Sequence, residues 1–427
     1  MIQVSVKKCI LAQRLFLLII YNILTHIAWF YLKLIALFNP KMKLFVRGRQ
    51  RTFSILETHL ERNQKTIWMH AASLGEYEQG LPLLERLKQT YTNHNLVLSF
   101  FSPSGYEVKK NKTPADVVVY LPMDSAGNAK RFVDLVKPDL AIFIKYEIWP
   151  NYLHELNKGK VPTLLVSAIF SKRQVYFKPF GSFMRKSLKN ISHFFVQDEN
   201  SKTLLNSIGF SNTTVSGDTR FDRVSKILEA DNRLDIMDDF VNNEFCLVVG
   251  SSWPEDEAVI TPYINEAPNT IKFVIAPHNI KTNHIQKLET SIKKKVVRYS
   301  SKNVSSLKEA HVLIVDTIGL LTKIYSYANV AYVGGGFATG LHNTLEPAVF
   351  GIPVIIGPKY SGFKEAEDLI MKKGILSIET NEEFKKTLDY FFTDPKALRQ
   401  VGSINHNYIK SKLGATELVL NYINSLI

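Results

Sequence analysis

Short apolar segments of strand length alternate with helix-type patterns along almost the whole chain after residue 60. The first series of such segments covers residues 66–70, 96–101, 117–121, 140–144, 163–166 and 193–196. A second series covers residues 245–249, 272–275, 312–315, 330–333 and 353–356. Alternation of this kind is typical of βαβ units and of parallel sheets covered by helices. The sequence therefore predicts two doubly wound α/β domains.

The stretch between the two series, at about residues 224–243, is polar and charged and has no strand-like run. A chain of 427 residues with 45% apolar residues is long enough for two ordinary cores. We therefore predict a first domain, a linker and a second domain at residues 41–225, 226–243 and 244–427. Sheets of this kind bind ligands beyond the carboxyl ends of their strands, so a ligand cleft is expected between the domains.

The amino terminus contains an uncharged stretch, Leu15 to Leu32, which is followed by a cluster of Lys and Arg residues between positions 33 and 51. Its length lies at the short end of the roughly 17–25 residues that span a bilayer, so spanning and in-plane insertion both remain open. Basic residues after an apolar helix stay on the cytoplasmic side. We predict a membrane anchor over residues 1–40; a buried amphipathic helix is the alternative, and a cleaved signal peptide is disfavoured.

The formal charge of +14 implies an anionic partner, which can be nucleic acid, phospholipid or a phosphorylated substrate. Residues 167–190 interleave basic and aromatic side chains, and Lys172 and Arg173 begin the basic series. Such a segment suits phosphorylated lipid or single-stranded nucleic acid, and the predicted anchor favours lipid. The two cysteines, Cys9 and Cys246, lie far apart and indicate neither a disulfide framework nor a zinc site.

Glycines 334–336 follow a predicted strand, and a helix is predicted to start near Asn343, with Glu346 in its first turn. Such glycines allow close approach of the backbone, and a helix start favours an anion, so a phosphate is the natural ligand. An ordinary tight turn is the alternative. Small or hydroxyl-bearing residues also follow three other predicted strands, at positions 250–252, 276–278 and 316–319. Neither a Walker motif nor a dinucleotide-binding G-x-G-x-x-G follows a strand, which disfavours kinases, P-loop ATPases and dehydrogenases.

Residues 68–76 run from a predicted strand through a small-residue turn into a helix that begins close to Glu76. A carboxylate at this position is a candidate general base. It is equally well explained as a cap of the helix amino terminus.

Three segments, 68–76, 146–151 and 334–347, occur in an order that resembles the 3-deoxy-D-manno-octulosonic acid (Kdo) transferases of lipopolysaccharide synthesis. Residues 216–222, the pair Gly357-Pro358 and Phe363 extend the resemblance, so that it runs nearly end to end. It implies a GT-B fold, a CMP-Kdo donor, a lipid A precursor as acceptor and no metal or other cofactor. It also implies a place on the cytoplasmic face of a bacterial inner membrane.

The resemblance assigns roles to individual residues. It implies that Glu76 is the catalytic base of an inverting transfer and that Glu147 and Arg220 support the transition state. The residues implied to contact CMP are Pro277, His278, Ile318, Gly319, Leu320, Asn343, Thr344, Leu345 and Glu346.

The chain departs from the family pattern at four places. The usual Pro-Arg-His, Gly-Glu-Leu and Gly-Ser-Thr-His are replaced by residues 277–279, 319–321 and 250–253, and Lys145 stands where a Glu is usual. Two rival functions remain. One is a membrane-associated GT-B transferase that uses a UDP-sugar and a polyprenyl-linked acceptor; the other is a membrane-tethered nucleic-acid-binding protein. Nucleotide-sugar epimerases have a related fold but need no anchor.

Overall fold

The structure is a computed structural model that describes residues 2–301, 307–338 and 340–427, with side chains from residue 17 onward in these ranges. The side chains of Leu15, Phe16 and Cys9, and Thr339 in the predicted donor segment, lie outside the described part. The chain forms two compact units. The first comprises Met1–Arg223 with Gly414–Ile427, and the second comprises Val224–Leu413.

The first unit is built on a parallel sheet of seven strands in the order β3-β2-β1-β4-β5-β6-β7. Apolar side chains cover both faces of the sheet, as expected where helices flank both sides of parallel strands. The strands are β1 (Lys65–Ala71), β2 (His94–Phe100), β3 (Val117–Tyr120), β4 (Leu140–Ile144), β5 (Thr163–Ala168), β6 (His193–Val196) and β7 (Thr213–Val215).

The helices of the first unit precede the sheet, connect its strands and close the chain. They are α1 (Ile2–Ile35), α2 (Pro40–Gln50), α3 (Thr52–His59), α4 (Leu74–Thr90), α5 (Pro103–Lys109), α6 (Ala126–Val136), α7 (Pro150–Lys158), α8 (Ser182–Leu188), α9 (Glu199–Ser207) and α10 (Thr219–Ser225), the last of which reaches the second unit.

The second unit contains another parallel sheet of seven strands, in the order β10-β11-β9-β8-β12-β13-β14. Its strands are β8 (Phe245–Ser252), β9 (Ile271–Pro277), β10 (Val296–Arg298), β11 (Val312–Ile314), β12 (Val330–Val333), β13 (Val354–Ile356) and β14 (Ile375–Ser377). Its described helices, followed by the final helix of the chain, are α11 (Asp235–Val241), α12 (Pro254–Glu266), α13 (Thr282–Ser291), α14 (Leu321–Ile324), α15 (Leu345–Ala348), α16 (Lys364–Met371), α17 (Asn381–Thr393), α18 (Pro395–Lys410) and α19 (Ala415–Asn424).

All eleven apolar segments of the sequence coincide with strands, which confirms the predicted class of two doubly wound sheets. The sequence did not indicate β7, β10 and β14. Each of these strands has three residues and lies at the edge of its sheet. Their sequences, Thr-Thr-Val, Val-Val-Arg and Ile-Leu-Ser, contain at most two apolar residues in succession, so the apolar pattern carries no signal for them.

The chain passes from the first unit to the second after Arg223 and returns to the first at Gly414, and both positions differ from the predicted domain boundaries. Residues 226–243, predicted as a linker, include α11, whose Met237 and Phe240 are fully buried in the core of the second unit. The final helix α19 belongs to the first unit. There the carboxylate of Asp222 accepts hydrogen bonds from the backbone N–H groups of Gly414 and Thr416, both at 2.7 Å.

Helix α1 contacts the rest of the first unit through a mixed face, on which Trp29, Leu32 and Ala36 pack in a small apolar cluster and polar side chains form hydrogen bonds. The Tyr21 hydroxyl donates to Asp124 Oδ2 at 2.8 Å, and Asn22 Oδ1 accepts from the backbone N–H of Ala126 at 2.9 Å. The opposite face is apolar and exposed; its side chains recur at helical spacing and are those of Ile19, Ile23, Ile27, Phe30, Leu34 and Phe38, which extends beyond the helix. Residues 17–35 are long and apolar enough to cross a membrane.

Candidate functional site

Each sheet has a point where the strand order reverses, and some of the candidate residues lie in the loops that leave it. In the first unit the reversal lies between β1 and β4, which are followed by the Glu76 turn and the Glu147 loop. In the second unit it lies between β8 and β12, which are followed by Trp253 and the glycine run. Loops that leave such a point in opposite directions open a crevice, which is the usual ligand site of these sheets.

Glu76 lies in the first turn of α4 and is only 8% exposed. Its Oε2 accepts a hydrogen bond from the backbone N–H of Ala72 at 2.5 Å, while Ser73 Oγ accepts from the Glu76 N–H at 3.5 Å. These two contacts form the capping arrangement that the sequence offered as the alternative. No hydrogen bond to the second oxygen, Oε1, occurs among the described residues. Capping therefore occupies one oxygen of the carboxylate and leaves the other available.

Burial raises the pKa of Glu76 to about 7, and the negative charge of Glu147 contributes in the same direction. The Ala72 hydrogen bond and the positive charge of Lys145 oppose this shift. A carboxylate with a pKa near 7 is suited to take up a proton at neutral pH.

Glu147 lies in the loop after β4 and is held by aromatic residues. Its Oε2 accepts from Trp149 Nε1 at 3.0 Å and lies 3.5 Å from Nε2 of the fully buried His70. The loop begins at Lys145, which has a φ of +64°. A left-handed backbone is unfavourable for a residue other than glycine and is frequent at functional sites.

Arg220 lies at the start of α10 and pairs with Asp218 through Nε at 2.8 Å. Asp218 is buried and also accepts from Gln79 Nε2 at 3.1 Å. Gln79 is one turn beyond Glu76 on α4. Asp218 thus links Arg220 to the helix that carries Glu76.

The glycine run after β12 is tightly packed within its own domain. A Cβ atom on Gly334 would lie 2.4 Å from the carbonyl oxygen of Ser251, and Gly335 has a φ of +95°. Contacts inside the domain are thus sufficient to require glycine here, which is a different reason from the ligand approach inferred from the sequence.

Asp256, which the sequence analysis did not single out, organises this glycine run. It is fully buried in the first turn of α12 and accepts three hydrogen bonds, from Tyr332 Oη at 2.8 Å, Gly335 N at 2.8 Å and Trp253 N at 2.9 Å. The available signal was its position three residues after Trp253, the residue that precedes α12, where an acidic side chain typically caps a helix.

His278 is exposed and forms part of an aromatic stack. Its ring lies 4.6 Å from that of Trp253, nearly parallel, and 4.7 Å from that of His342. Trp253 Nε1 donates to His342 Nε2 at 3.1 Å. Burial lowers the pKa of His342, and the neighbouring His278 acts in the same direction. His342 is therefore a neutral hydrogen-bond acceptor that holds the stack together.

The other predicted donor residues border the same edge of the second sheet. Pro277 ends β9; Ile318 is 86% exposed beside Gly319, which has a φ of +90°, and Leu320 precedes α14. The carboxylate of Glu346 accepts from Asn343 Nδ2 at 3.0 Å and from Thr322 Oγ1 at 3.1 Å.

The helix predicted near Asn343 differs from the observed one. Helix α15 begins at Leu345, has Thr344 at its N-cap position and contains only four residues. One turn has a small dipole, so the anion-binding argument from a helix start loses most of its weight here. Asn343 Oδ1 accepts from the N–H of Leu345 at 3.1 Å and so satisfies one of the free donors.

Irregular backbone at two further strand ends shapes these loops. Strand β5 is bulged between Leu165 and Ala168, and β8 between Gly250 and Ser252. Each bulge contains a serine with a φ of +54°, Ser167 and Ser251. A bulge bends a strand and redirects the residues that follow, as is common beside active sites.

The basic and aromatic segment 167–190 is only partly a surface feature. Tyr176 and Phe177 pack in the core of the first unit, whereas Phe180 is 77% exposed. Lys172 and Arg173 are exposed in the loop after β5. The structure therefore leaves these two cations accessible but turns part of the predicted aromatic surface inward.

Comparison with protein families identifies the first unit. Residues 47–223 match the family model described as 3-deoxy-D-manno-octulosonic-acid transferase (kdotransferase). The 3-deoxy-D-manno-octulosonic acid transferase of Rickettsia bellii is 29% identical over 361 residues, which are 82% of this chain and 85% of that protein. The resemblance predicted from the sequence is confirmed.

Two solved structures have the same architecture. The UDP-GlcNAc 2-epimerase of Neisseria meningitidis, solved with UDP-GlcNAc, covers 84% of this chain and 100% of its own with a TM-score of 0.62 and 14% identity. Acinetobacter baumannii MurG covers 85% of this chain and 99% of its own with a TM-score of 0.52 and 12% identity. At these identities the likeness concerns the fold, and the predicted GT-B class is confirmed.

Replacing Asp256 is expected to loosen the glycine run. An Asp256→Asn side chain presents only one acceptor oxygen where three donors converge, and an unmade buried hydrogen bond costs about 1–3 kcal/mol. Amide hydrogen exchange of the peptide containing Gly335 should accelerate roughly tenfold or more. Tyr332→Phe, which removes one donor and leaves both backbone contacts, is the matched control and should have a smaller effect. Unchanged exchange in Asp256→Asn would contradict this role.

Proposed function

Because residues 47–223 match the 3-deoxy-D-manno-octulosonic acid (Kdo) transferase family model, we propose that the chain is such a transferase and moves Kdo from CMP-Kdo to a lipid A precursor. The transfer is an inverting single displacement in lipopolysaccharide synthesis. A hydroxyl oxygen of the acceptor attacks the anomeric carbon of Kdo, the bond from that carbon to the CMP oxygen breaks, and CMP leaves as a phosphate monoester.

Glu76 takes the proton of the attacking hydroxyl. The single observation that carries this assignment is the buried carboxylate at the strand-order reversal, with one oxygen held by Ala72 and a pKa raised to about 7. Held in this way, the carboxylate presents Oε1 in a fixed orientation and needs little reorganisation as the proton arrives. One carboxylate is sufficient, because a phosphate leaving group needs no general acid.

The reaction also requires that the negative charge on the departing CMP be stabilised. We assign its binding to Pro277, His278 and the residues from Ile318 to Leu320, together with residues 343–346. Since α15 is a single turn, individual N–H groups and side chains of these loops supply the stabilisation, rather than a helix dipole. Arg220, oriented by Asp218, and Glu147 support the transition state from the first domain.

We further propose that α1 holds the protein on the cytoplasmic face of the inner membrane and lies in the membrane plane. Tyr21 and Asn22 lie inside the apolar stretch, yet they hydrogen-bond to Asp124 and Ala126 of the globular unit. A polar loop would have to enter the hydrocarbon core if this stretch crossed the bilayer, and unsatisfied polar groups are costly there. Inserting only the exposed apolar face avoids that cost.

Substitution of Glu76 should separate chemistry from donor binding. Glu76→Gln keeps an acceptor for the Ala72 N–H but cannot take up a proton, so the transfer rate should fall about 10²–10⁴-fold. CMP affinity, measured by calorimetry, should remain unchanged. Glu78→Gln on the same helix, where Glu78 pairs with Lys109 and Arg223, is the matched control and should retain nearly full activity. A Glu76→Gln protein with wild-type turnover would exclude this base.

The rate should depend on pH in the direction that the Glu76 pKa dictates. The base acts in its ionised form, so kcat/KM should rise with pH and reach a plateau above about pH 7. A carboxylate with an ordinary pKa would already be ionised two to three pH units lower. A kcat/KM that stays flat between about pH 5.5 and 8, with donor and acceptor subsaturating, would contradict the raised pKa.

The exposed cations Lys172 and Arg173 should affect the acceptor rather than the donor. A basic residue close to an anionic lipid surface contributes about 1 kcal/mol, so removing both with alanine should raise the acceptor KM on the order of tenfold at low salt. The difference should shrink as salt rises. Alanine substitutions of Lys385 and Lys386, exposed on α17, make the same change in charge and serve as the control. An unaltered acceptor KM would refute this assignment.

A further inference from the structure

His70, in strand β1, is a buried polar residue that the proposed reaction does not use. Its side chain is fully buried, with the rings of Phe143 and Trp149 at 5.8 Å and 6.2 Å. Nδ1 lies 2.8 Å from the Ser99 hydroxyl and 3.0 Å from the Ser99 carbonyl oxygen. Nε2 makes no hydrogen bond of normal geometry within the described residues, and Glu147 Oε2 lies 3.5 Å from it.

The hydrogen-bond network indicates which ring nitrogen carries the hydrogen. Trp68 Nε1 can only donate, and it donates to Ser99 Oγ at 2.8 Å. The Ser99 hydroxyl then has its own hydrogen to give, and His70 Nδ1 is an acceptor at hydrogen-bond distance. With the Ser99 hydroxyl donating to Nδ1, the ring hydrogen lies on Nε2, where it faces the acceptor-only carboxylate of Glu147; the Ser99 carbonyl oxygen, 3.0 Å from Nδ1, then receives no hydrogen from the ring.

We propose that His70 is a positioning residue, which holds the Glu147 carboxylate beside Glu76 through its Nε2–H. In this arrangement His70 orients a functional carboxylate without itself contacting the substrate, as residues behind a metal ligand do in metal sites. Trp149 supplies the other donor to the same Glu147 oxygen. The inference rests on the proposed function only where it treats Glu76 as the base.

Two other titratable groups interact electrostatically with Glu76 or Glu147. Lys145, at the end of β4, acts on Glu76, and Tyr176, in the loop after β5, is acted on by Glu147. Within the described residues, neither of them forms a hydrogen bond with the Glu147 carboxylate. Trp149, through a hydrogen bond, and His70, at 3.5 Å, are the two groups that face Oε2 of Glu147 within the described residues.

His70→Phe removes the Nε2–H and keeps an aromatic ring between Phe143 and Trp149. Glu147 then has one donor left and can turn away, so its negative charge acts less strongly on Glu76. Glu76 should therefore ionise at lower pH, and the acid limb of kcat/KM should move in the same direction. His70→Gln, whose amide can donate in place of Nε2, should restore part of the wild-type behaviour.

The experiment is a ¹³C NMR titration of the Glu76 carboxyl group in the full-length protein labelled with ¹³C-glutamate. Glu76→Gln identifies the resonance by its loss. We expect a midpoint about half a unit to one unit lower in His70→Phe than in wild type. His193→Phe, on β6 of the same sheet and stacked on Tyr422, is the matched control and should leave the midpoint unchanged.

A folded His70→Phe protein with the wild-type midpoint would overturn the proposal. His70→Leu, which also lacks a donor, provides a second route if His70→Phe does not fold: combined with Glu147→Gln it should give the same midpoint as Glu147→Gln alone, whereas an additive shift would also overturn the proposal. The pH-rate profile is recorded in parallel. A wild-type protein that transfers no Kdo would refute the proposed function, while the NMR midpoints would still decide the role of His70.

Discussion

Burial of a carboxylate where the strand order reverses is the constraint on which the proposed chemistry depends. Glu76 is removed from water by the start of α4 and by the surrounding β1 and β4 loops, which raises its pKa to about 7. A parallel sheet buried on both faces makes this possible, because ligands of such sheets bind beyond the carboxyl ends of the strands rather than on the covered faces. The reactive group is thus a consequence of the architecture and of one residue in the following turn.

The second domain uses a buried carboxylate for a different purpose. Asp256 accepts from two backbone N–H groups and a phenol, and so fixes the glycine run and the Trp253 turn relative to each other. A carboxylate satisfied by three donors remains a structural acceptor, whereas Glu76 has one oxygen to which none of the described residues donates a hydrogen bond. The number of hydrogen bonds distinguishes the organising carboxylate from the proposed base.

Much of the fold was predictable from the sequence, because buried parallel strands leave continuous apolar runs such as 140–144 and 330–333. The three-residue edge strands were not, since their stability comes from pairing with a neighbouring strand rather than from their own pattern. The return of α19 to the first unit depends on the Asp222 contacts with Gly414 and Thr416, which are about 190 residues apart in sequence from Asp222. Contacts at such a separation leave no local signal.

The candidate site, too, was only partly predictable from the sequence. The position of Glu76 after β1 was readable, but its environment was not, because Glu147 approaches from another strand. Asp256 and the Trp253–His278–His342 stack were missed for the same reason.

The most direct test of the account is transfer itself. Purified full-length protein in detergent is incubated with a tetraacylated lipid A precursor and CMP-Kdo generated in situ, and the lipid is examined by mass spectrometry. The account predicts that the lipid gains the mass of one or more Kdo residues with wild-type protein. An unchanged lipid in the presence of intact CMP-Kdo would contradict it.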